Sequence, residues 1–130
     1  MAWRTAFDNT NWNAAFTAIS ADALGQDTAA TDRLTFNNVC RTCHTLKEGD
    51  NRLGPNLHNI IGRKAGSVPD YGYSSAMKDA NLTWYRATLD RFIANPDQVV
   101  PGNRMKSYGG LTSPEERAKI ISFLEANSGS

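Results

Sequence analysis

Residues 40–44 read CRTCH, which places two thiols and an imidazole within five residues. Cys40 and Cys43 are the only cysteines in the 130-residue chain. Such a cluster can hold a metal ion, form a disulfide or attach a larger group, and each choice demands a different fold around it. The pattern in the remaining residues therefore has to distinguish among these three uses.

The apolar residues of the chain follow helical rather than strand periodicity. No segment alternates apolar and polar residues over the length of a strand, so the sequence predicts an all-α fold. Residues 47–79 are rich in Gly, Pro, Asn and Ser, which favours loops. A chain with so many loops at its centre needs a group for them to wrap around. No apolar run reaches the ~20 residues that a membrane-spanning helix requires.

Apolar spacing and capping signals predict five helices. These are a helix within residues 10–25, one from residue 27 or 28 to Cys40, a short one near residues 74–79, and two within residues 82–96 and 112–129. Thr83 and Ser113 are the predicted N-caps of the last two. Asn95 and Pro96 form the predicted stop of the helix that Thr83 begins.

Zinc needs four ligands, and Cys40, Cys43, His44 and His58 are just enough in number. The adjacent Cys43 and His44 point in diverging directions, however, which makes joint tetrahedral ligation awkward. A dithiol oxidoreductase carries its cysteine pair in a βαβ context, which this chain lacks, and a structural disulfide is a further alternative. Covalent haem fits best, because two cysteines three apart add to two porphyrin vinyl groups and the next imidazole reaches the iron.

Further motifs follow CRTCH in order: LGPNLHNIIGRKAG, YGYSSAM, NLTW, NP, VPGNRM and SFLEAN. With them, the chain from about Asp32 to Asn127 resembles a class I cytochrome c of the mitochondrial and α-proteobacterial type. The resemblance implies the cytochrome c fold, in which helices and loops wrap around one haem c bound covalently through Cys40 and Cys43. Residues 1–27 would then be an extension with an additional helix, and residues 28–130 the cytochrome domain.

The resemblance also implies the two axial ligands of the iron, His44 and Met105. Met105 follows Pro101 and Gly102 in a loop, as does the family's axial methionine. Met1 and Met77 are the competing methionines, the second of them in a predicted helix where packing into the core is the simpler role.

Several other residues would contact the haem by resemblance. The carbonyl of Pro55 would accept the imidazole N–H of the proximal histidine and so fix its ring. Asn103 matches a family position that forms hydrogen bonds around the propionate or the axial ligand. The propionate donors would be Arg63, Tyr73 and Trp84, with Tyr71 nearby, although each of these could instead be an ordinary surface charge or core aromatic.

The chain departs from the family pattern at several places, of which Asp32 and Phe92 matter most for the fold and the haem. Asp32 stands where the first family helix usually carries a glycine at its crossing with the last, so we expect a rearranged or shifted crossing. Phe36 and either Ile120 or Phe123 are the predicted contacts there. Phe92 replaces a tyrosine that often binds the axial sulfur, which predicts a drier distal side of the haem.

A His/Met pair saturates the iron and favours its ferrous state. The implied function is therefore transfer of single electrons, without enzymatic chemistry, between redox proteins such as a membrane reductase, a terminal oxidase or a periplasmic reductase or dehydrogenase. Two alternatives remain open. One is a haem c enzyme or sensor with a labile sixth ligand, active as a peroxidase or in gas binding, and the other is a module of a larger redox enzyme.

The net charge of +1 argues against nucleic acid as a partner. Basic candidates for a docking surface at the haem edge are Arg41, Arg52, Arg104 and Lys106. The apolar stripe predicted within residues 10–25 would either pack on its own domain or form a docking or dimer interface. No signal-peptide pattern opens the sequence, so an exported protein would be a processed form. Haem attachment to thiols implies the bacterial periplasm.

Overall fold

The structure, a computed structural model, describes residues 28–105 and 108–128. Two compact units divide the chain, Met1–Thr31 and Asp32–Ser130. Residues 28–31 are the only described part of the first unit, and they are helical. The helix predicted within residues 10–25 and the side chain of Lys106 therefore lie outside the described residues.

Helices account for the regular structure of the described residues. In chain order they are α1 (residues 28–39), α2 (Ser75–Lys78), α3 (Arg86–Ala94), α4 (Pro96–Val99) and α5 (Pro114–Ala126). Within residues 28–105 and 108–128 no strand forms, and the β-type pairing is one isolated antiparallel bridge between Lys64 and Thr83. The all-α prediction is confirmed.

Two helices begin at the residues that the sequence predicts. The Ser113 hydroxyl accepts the backbone N–H of Glu116 at 3.2 Å, and Pro114 fills the first position of α5, where no N–H is needed. Ser74 caps α2 in the same way, by accepting the Met77 N–H at 3.1 Å. These starts could be predicted because capping depends on local sequence alone.

The predicted start of α3 is wrong by two residues. Its N-cap is Tyr85, not Thr83, and its first helical residue is Arg86. Thr83 is instead held in the bridge to Lys64. The Thr88 hydroxyl accepts the backbone N–H of Tyr85 at 2.9 Å and so satisfies the amide at the true helix start.

The predicted stop of α3 is correct, but it is also the start of another helix. α3 ends at Ala94, and the Asn95 side chain then accepts the Gln98 N–H at 3.3 Å and caps α4. Pro96 occupies the first turn of α4, where its missing N–H costs nothing. The same two residues therefore end one helix and begin the next.

The core lies where α1 and α3 meet α5. The predicted crossing of α1 with α5 is present, since the rings of Phe36 and Phe123 are 4.9 Å apart and both Phe36 and Ile120 are fully buried. Asp32, one helical turn before Phe36, is also buried. α3 packs against both α4 and α5. Its buried residues are Leu89, Phe92 and Ile93.

A short stretch of backbone pairing joins the central loops to the segment before α3. Ala65 donates to the Leu82 carbonyl at 2.8 Å, Gly62 donates to that of Trp84 at 2.7 Å, and Trp84 donates to that of Arg63 at 2.9 Å. These bonds place Arg63 beside Trp84 although the two are far apart in sequence.

None of the helices described within residues 28–105 and 108–128 has the length and apolar character needed to cross a bilayer.

Candidate functional site

The CRTCH segment turns tightly at the end of α1. The Cys40 N–H donates to the Phe36 carbonyl at 2.8 Å, which continues the hydrogen bonding of the helix. The backbone N–H groups of Cys43 and His44 then both donate to the Cys40 carbonyl at 3.1 Å. Both cysteines are partly buried, and no disulfide joins them. The turn thus presents two thiols and one imidazole from a single rigid segment.

The described residues do not support the zinc alternative. No group of three His, Cys, Asp or Glu side chains among them could hold a metal ion. Burial, with a smaller contribution from Cys43, raises the pKa of the Cys40 thiol to about 12. Burial therefore disfavours the thiolate, which is the form of cysteine that binds zinc.

The His44 ring is held in one orientation. Its Nδ1–H donates to the Pro55 carbonyl at 2.7 Å, and the residue is only 8% exposed. Burial is the main influence on its pKa, which is lowered. Nearby Arg63 lowers it further, and the bond to Pro55 acts in the opposite direction. A neutral imidazole with its proton on Nδ1 keeps the lone pair of Nε2 available for a metal.

Gly54 is required beside this ring. A Cβ at Gly54 would collide with His44 Cε1 and would lie 2.7 Å from Nδ1 and 2.9 Å from Nε2. Any larger residue would displace the imidazole. The sequence signal for this contact was the Gly54-Pro55 pair, but the resemblance gave a role only to the carbonyl of Pro55. The role of Gly54 itself was missed.

The loop that carries Pro55 is fastened to the CRTCH segment on both sides. Gly54 donates to the Cys43 carbonyl at 2.8 Å, and Leu57 donates to the Thr45 carbonyl at the same distance. These two backbone bonds lie on either side of Pro55 and fix the position of its carbonyl.

Two asparagines that the sequence analysis missed stabilise this loop. The side-chain oxygen of Asn51 accepts both the backbone N–H and the side-chain N–H of Asn56, at 2.9 and 2.8 Å. Asn56 is 4% exposed, and its own oxygen accepts the His58 N–H at 3.2 Å. Asparagines five residues apart in a Gly- and Pro-rich segment are compatible with many turns, so their pairing could not be foreseen.

Met105 lies at the end of a tight turn. The Asn103 N–H donates to the Val100 carbonyl at 3.1 Å, with Pro101 and Gly102 between them. Gly102 has φ +90°, and Pro followed by a positive-φ glycine is the signature of a type II turn. The Asn103 side-chain oxygen accepts the Met105 N–H at 2.8 Å, and the methionine packs partly buried against the core.

Tyr71 and Tyr73, the two tyrosines predicted to lie near the propionates, differ in whether the hydroxyl hydrogen is already used in a hydrogen bond. The Tyr71 O–H donates to the Leu53 carbonyl at 2.7 Å, which uses its only hydrogen. The Tyr73 oxygen instead accepts the Val68 N–H at 3.1 Å and keeps its own hydrogen for a further acceptor. Burial raises the pKa of Tyr73. The rings are 4.9 Å apart, edge to face, so Tyr71 supports the neighbouring ring.

Arg63 keeps N–H groups beyond those that its side chain donates to protein carbonyls, and Trp84 lies beside it with its indole N–H. Two N–H groups of Arg63 bind the carbonyls of His58 and Asn56, both at 2.8 Å, which leaves three of its five N–H groups. Trp84 is 6% exposed, and its indole carries one further N–H donor. Donors of this kind suit an anionic carboxylate, so the residues present fit a haem with its propionates.

The chain is similar to cytochromes c and c2 of plants and bacteria. No protein-family model matches it. It is 42% identical over 106 residues to cytochrome c of Arabidopsis thaliana, covering 81% of this chain and 94% of that protein. It is 46% identical over 94 residues to cytochrome c2 of Rhodomicrobium vannielii, covering 69% of this chain and 72% of that protein. The chain belongs to the class I cytochrome c family.

Comparison of structures gives the same family. Cytochrome cH from Methylobacterium extorquens superposes on this cytochrome with a TM-score of 0.68 and 34% identity, covering 75% of this chain and 97% of the other. The cytochrome c fold is thereby confirmed. This chain is a monohaem electron-transfer cytochrome, and its cofactor is one haem c attached through Cys40 and Cys43.

Proposed function

We propose that this cytochrome is an electron carrier, not an enzyme, and that His44 and Met105 are the axial ligands of its iron. The observation that carries the proposal is the 2.7 Å bond from His44 Nδ1 to the Pro55 carbonyl, which leaves Nε2 as the ligand atom. A haem c with both axial positions filled supplies one-electron exchange between ferric and ferrous iron without binding a substrate.

Each remaining residue of the site has a part in this proposal. The Pro55 carbonyl makes the His44 imidazole more basic and stops it from rotating. The Tyr73 hydroxyl, the Trp84 indole and the free N–H groups of Arg63 bind the haem propionates. Tyr71 acts through its ring contact with Tyr73. Asn103 holds the loop on the side of the methionine.

The experiment compares the two internal methionines in the holoprotein. Met105→Leu should abolish the far-red charge-transfer band of the ferric protein and let carbon monoxide bind rapidly to the ferrous protein. Met77→Leu is the matched control, because Met77 is also partly buried against the core but lies on α2. A wild-type protein that binds carbon monoxide rapidly near neutral pH would show that the sixth ligand is labile and would favour the enzyme or sensor class.

We further propose that the redox partner docks beside the haem attachment segment. A surface depression of about 690 Å³ lies there, and three cations line it. Arg41 and Lys47 are exposed, while Arg52 pairs with Asp50 at 2.7 Å. Leu53, 77% exposed, is an apolar residue of its rim. A mildly acidic surface with an apolar pocket complements this arrangement. The remaining lining residues are Thr42, Thr45 and Leu46.

Charge steering at this depression can be measured with the anion hexacyanoferrate(III) as the oxidant. The rate of oxidation should fall with rising ionic strength, and Arg41→Gln and Lys47→Gln should each flatten that dependence. Arg91→Gln is the control, since Arg91 is exposed on α3 and does not line the depression. A wild-type oxidation rate that does not change with ionic strength would contradict electrostatic steering.

We propose the bacterial periplasm as the site of action, because thioether formation to haem requires exported, reduced thiols. Fractionation of the native cells followed by a haem stain of the periplasmic fraction tests this location.

A further inference from the structure

Asn103 makes more hydrogen bonds than the turn around it needs. The turn is already closed by the backbone bond from the Asn103 N–H to the Val100 carbonyl. In addition, the Asn103 amide nitrogen donates to Asp97 Oδ1 and to the Val100 carbonyl, both at 2.9 Å, while its oxygen accepts the Met105 N–H at 2.8 Å. The side chain is therefore a three-way junction.

The Asn103 side chain is buried, and its hydrogen-bonding groups are used by the protein. Asn103 is 2% exposed, so none of its polar atoms can turn to water instead of these partners. Both hydrogens of its amide are used by protein groups, which leaves no donor for a propionate. Its function is thus directed at the protein backbone rather than at the cofactor.

Asp97 connects the junction to a second element. It lies in α4, which Asn95 and Pro96 start and which packs against α3. Its carboxylate accepts from Asn103, and the opposite end of the same amide holds Met105. A hydrogen bond to an ionised acceptor is stronger than a neutral one. The methionine backbone is thereby linked to a helix and not only to its own loop.

We propose that Asn103, anchored by Asp97, is the positioning residue that holds the Met105 backbone and so sets how readily its thioether leaves the iron. This inference rests on the proposed function, in which Met105 is the axial ligand. Losing the junction frees the Met105 amide from its acceptor, and an external ligand then competes more easily for the iron.

The test is the affinity of the ferric holoprotein for added imidazole, with the far-red band as a second readout. Asn103→Ala should tighten imidazole binding about tenfold or more and weaken the band. Asp97→Ala should tighten it about fivefold, the equivalent of one ordinary hydrogen bond. Asp97→Asn keeps an oxygen acceptor without the charge and should return affinity close to that of the wild type. In an Asn103→Ala background, Asp97→Ala should add little.

Ser113→Ala is the control for general destabilisation, because it removes the cap of α5 at a distance from this loop. An equal gain in imidazole affinity in Ser113→Ala would overturn the proposal. Wild-type affinity in both Asn103→Ala and Asp97→Ala, with the far-red band intact, would overturn it while leaving Met105 as the ligand. A wild-type protein without that band would instead refute the ligation itself.

Discussion

Gly54→Ala tests whether the proximal histidine depends on the absence of a side chain next to it. The added Cβ would lie 2.7 Å from His44 Nδ1 and 2.9 Å from Nε2, against about 3.5 Å for an ordinary contact. The ring or the loop must therefore retreat by at least ~0.8 Å. A displacement of that size away from the Pro55 carbonyl would stretch the bond from 2.7 Å to the limit of a hydrogen bond at ~3.5 Å.

The cost of this change has two parts. Forcing an extra methyl group into a packed site costs about 1–3 kcal/mol, and loss of the hydrogen bond adds about 1 kcal/mol. The compact unit Asp32–Ser130 has an unfolding entropy of about 0.2 kcal/mol/K, at the usual value per residue. A destabilisation of about 2–4 kcal/mol then lowers the Tm by about 10–20 °C.

The assay is thermal unfolding of the holoprotein, followed by haem absorbance, together with the ferric EPR spectrum, which reports the orientation of the axial ligands. Gly72→Ala is the matched control, because a Cβ at Gly72 meets nothing within 4 Å and the residue is exposed. It should change the unfolding free energy by less than ~0.5 kcal/mol. If Gly54→Ala unfolded at the wild-type temperature with an unchanged EPR spectrum, the packing argument would be refuted.

Further predictions concern packing and charge. Phe36→Ala should cost about 3–5 kcal/mol in urea unfolding, since this buried ring packs on α5. Arg117→Gln should cost about 1–2 kcal/mol and Arg86→Gln less than ~1, because the ion pair of Arg117 is better buried. Burial chiefly raises the pKa of Tyr108 to about 12, above its unfolded ~10, so stability should fall between pH 10 and 12. Tyr108→Phe should reduce that fall in urea titrations, and the part that remains should include the contribution of Tyr73, whose pKa is also raised. Sedimentation of the chain with and without residues 1–27 distinguishes the two alternatives for this segment, because only a dimer interface changes the measured mass per particle beyond the residues removed.

Much of the fold could be predicted because its determinants are local. Ser113 and Pro114 specify the start of α5 within three residues, and the CRTCH motif specifies a cofactor by its own spacing. The start of α3 could not be predicted in this way. Thr83 is a good N-cap by residue type, but its pairing with Lys64 outcompetes local propensity.

The residues of the site also divide into those that the sequence predicts and those whose roles depend on contacts made only in the folded chain. The role of Pro55 was implied by the family resemblance, and the structure shows its carbonyl at His44. The junction at Asn103 depends on a partner six residues away in a helix that the sequence did not predict. Which tyrosine keeps a free hydroxyl likewise depends on Leu53 and Val68, whose positions only the folded loops determine.

The confinement of His44 has a consequence for the speed of electron exchange. A carbonyl holds one edge of the imidazole, and Gly54 packs so closely that the ring has almost no room to swing. With His44 as the proposed axial ligand, a ring held in this way should move little when the iron changes its charge by one unit. Its contribution to the inner-sphere reorganisation energy of electron exchange is then expected to be small.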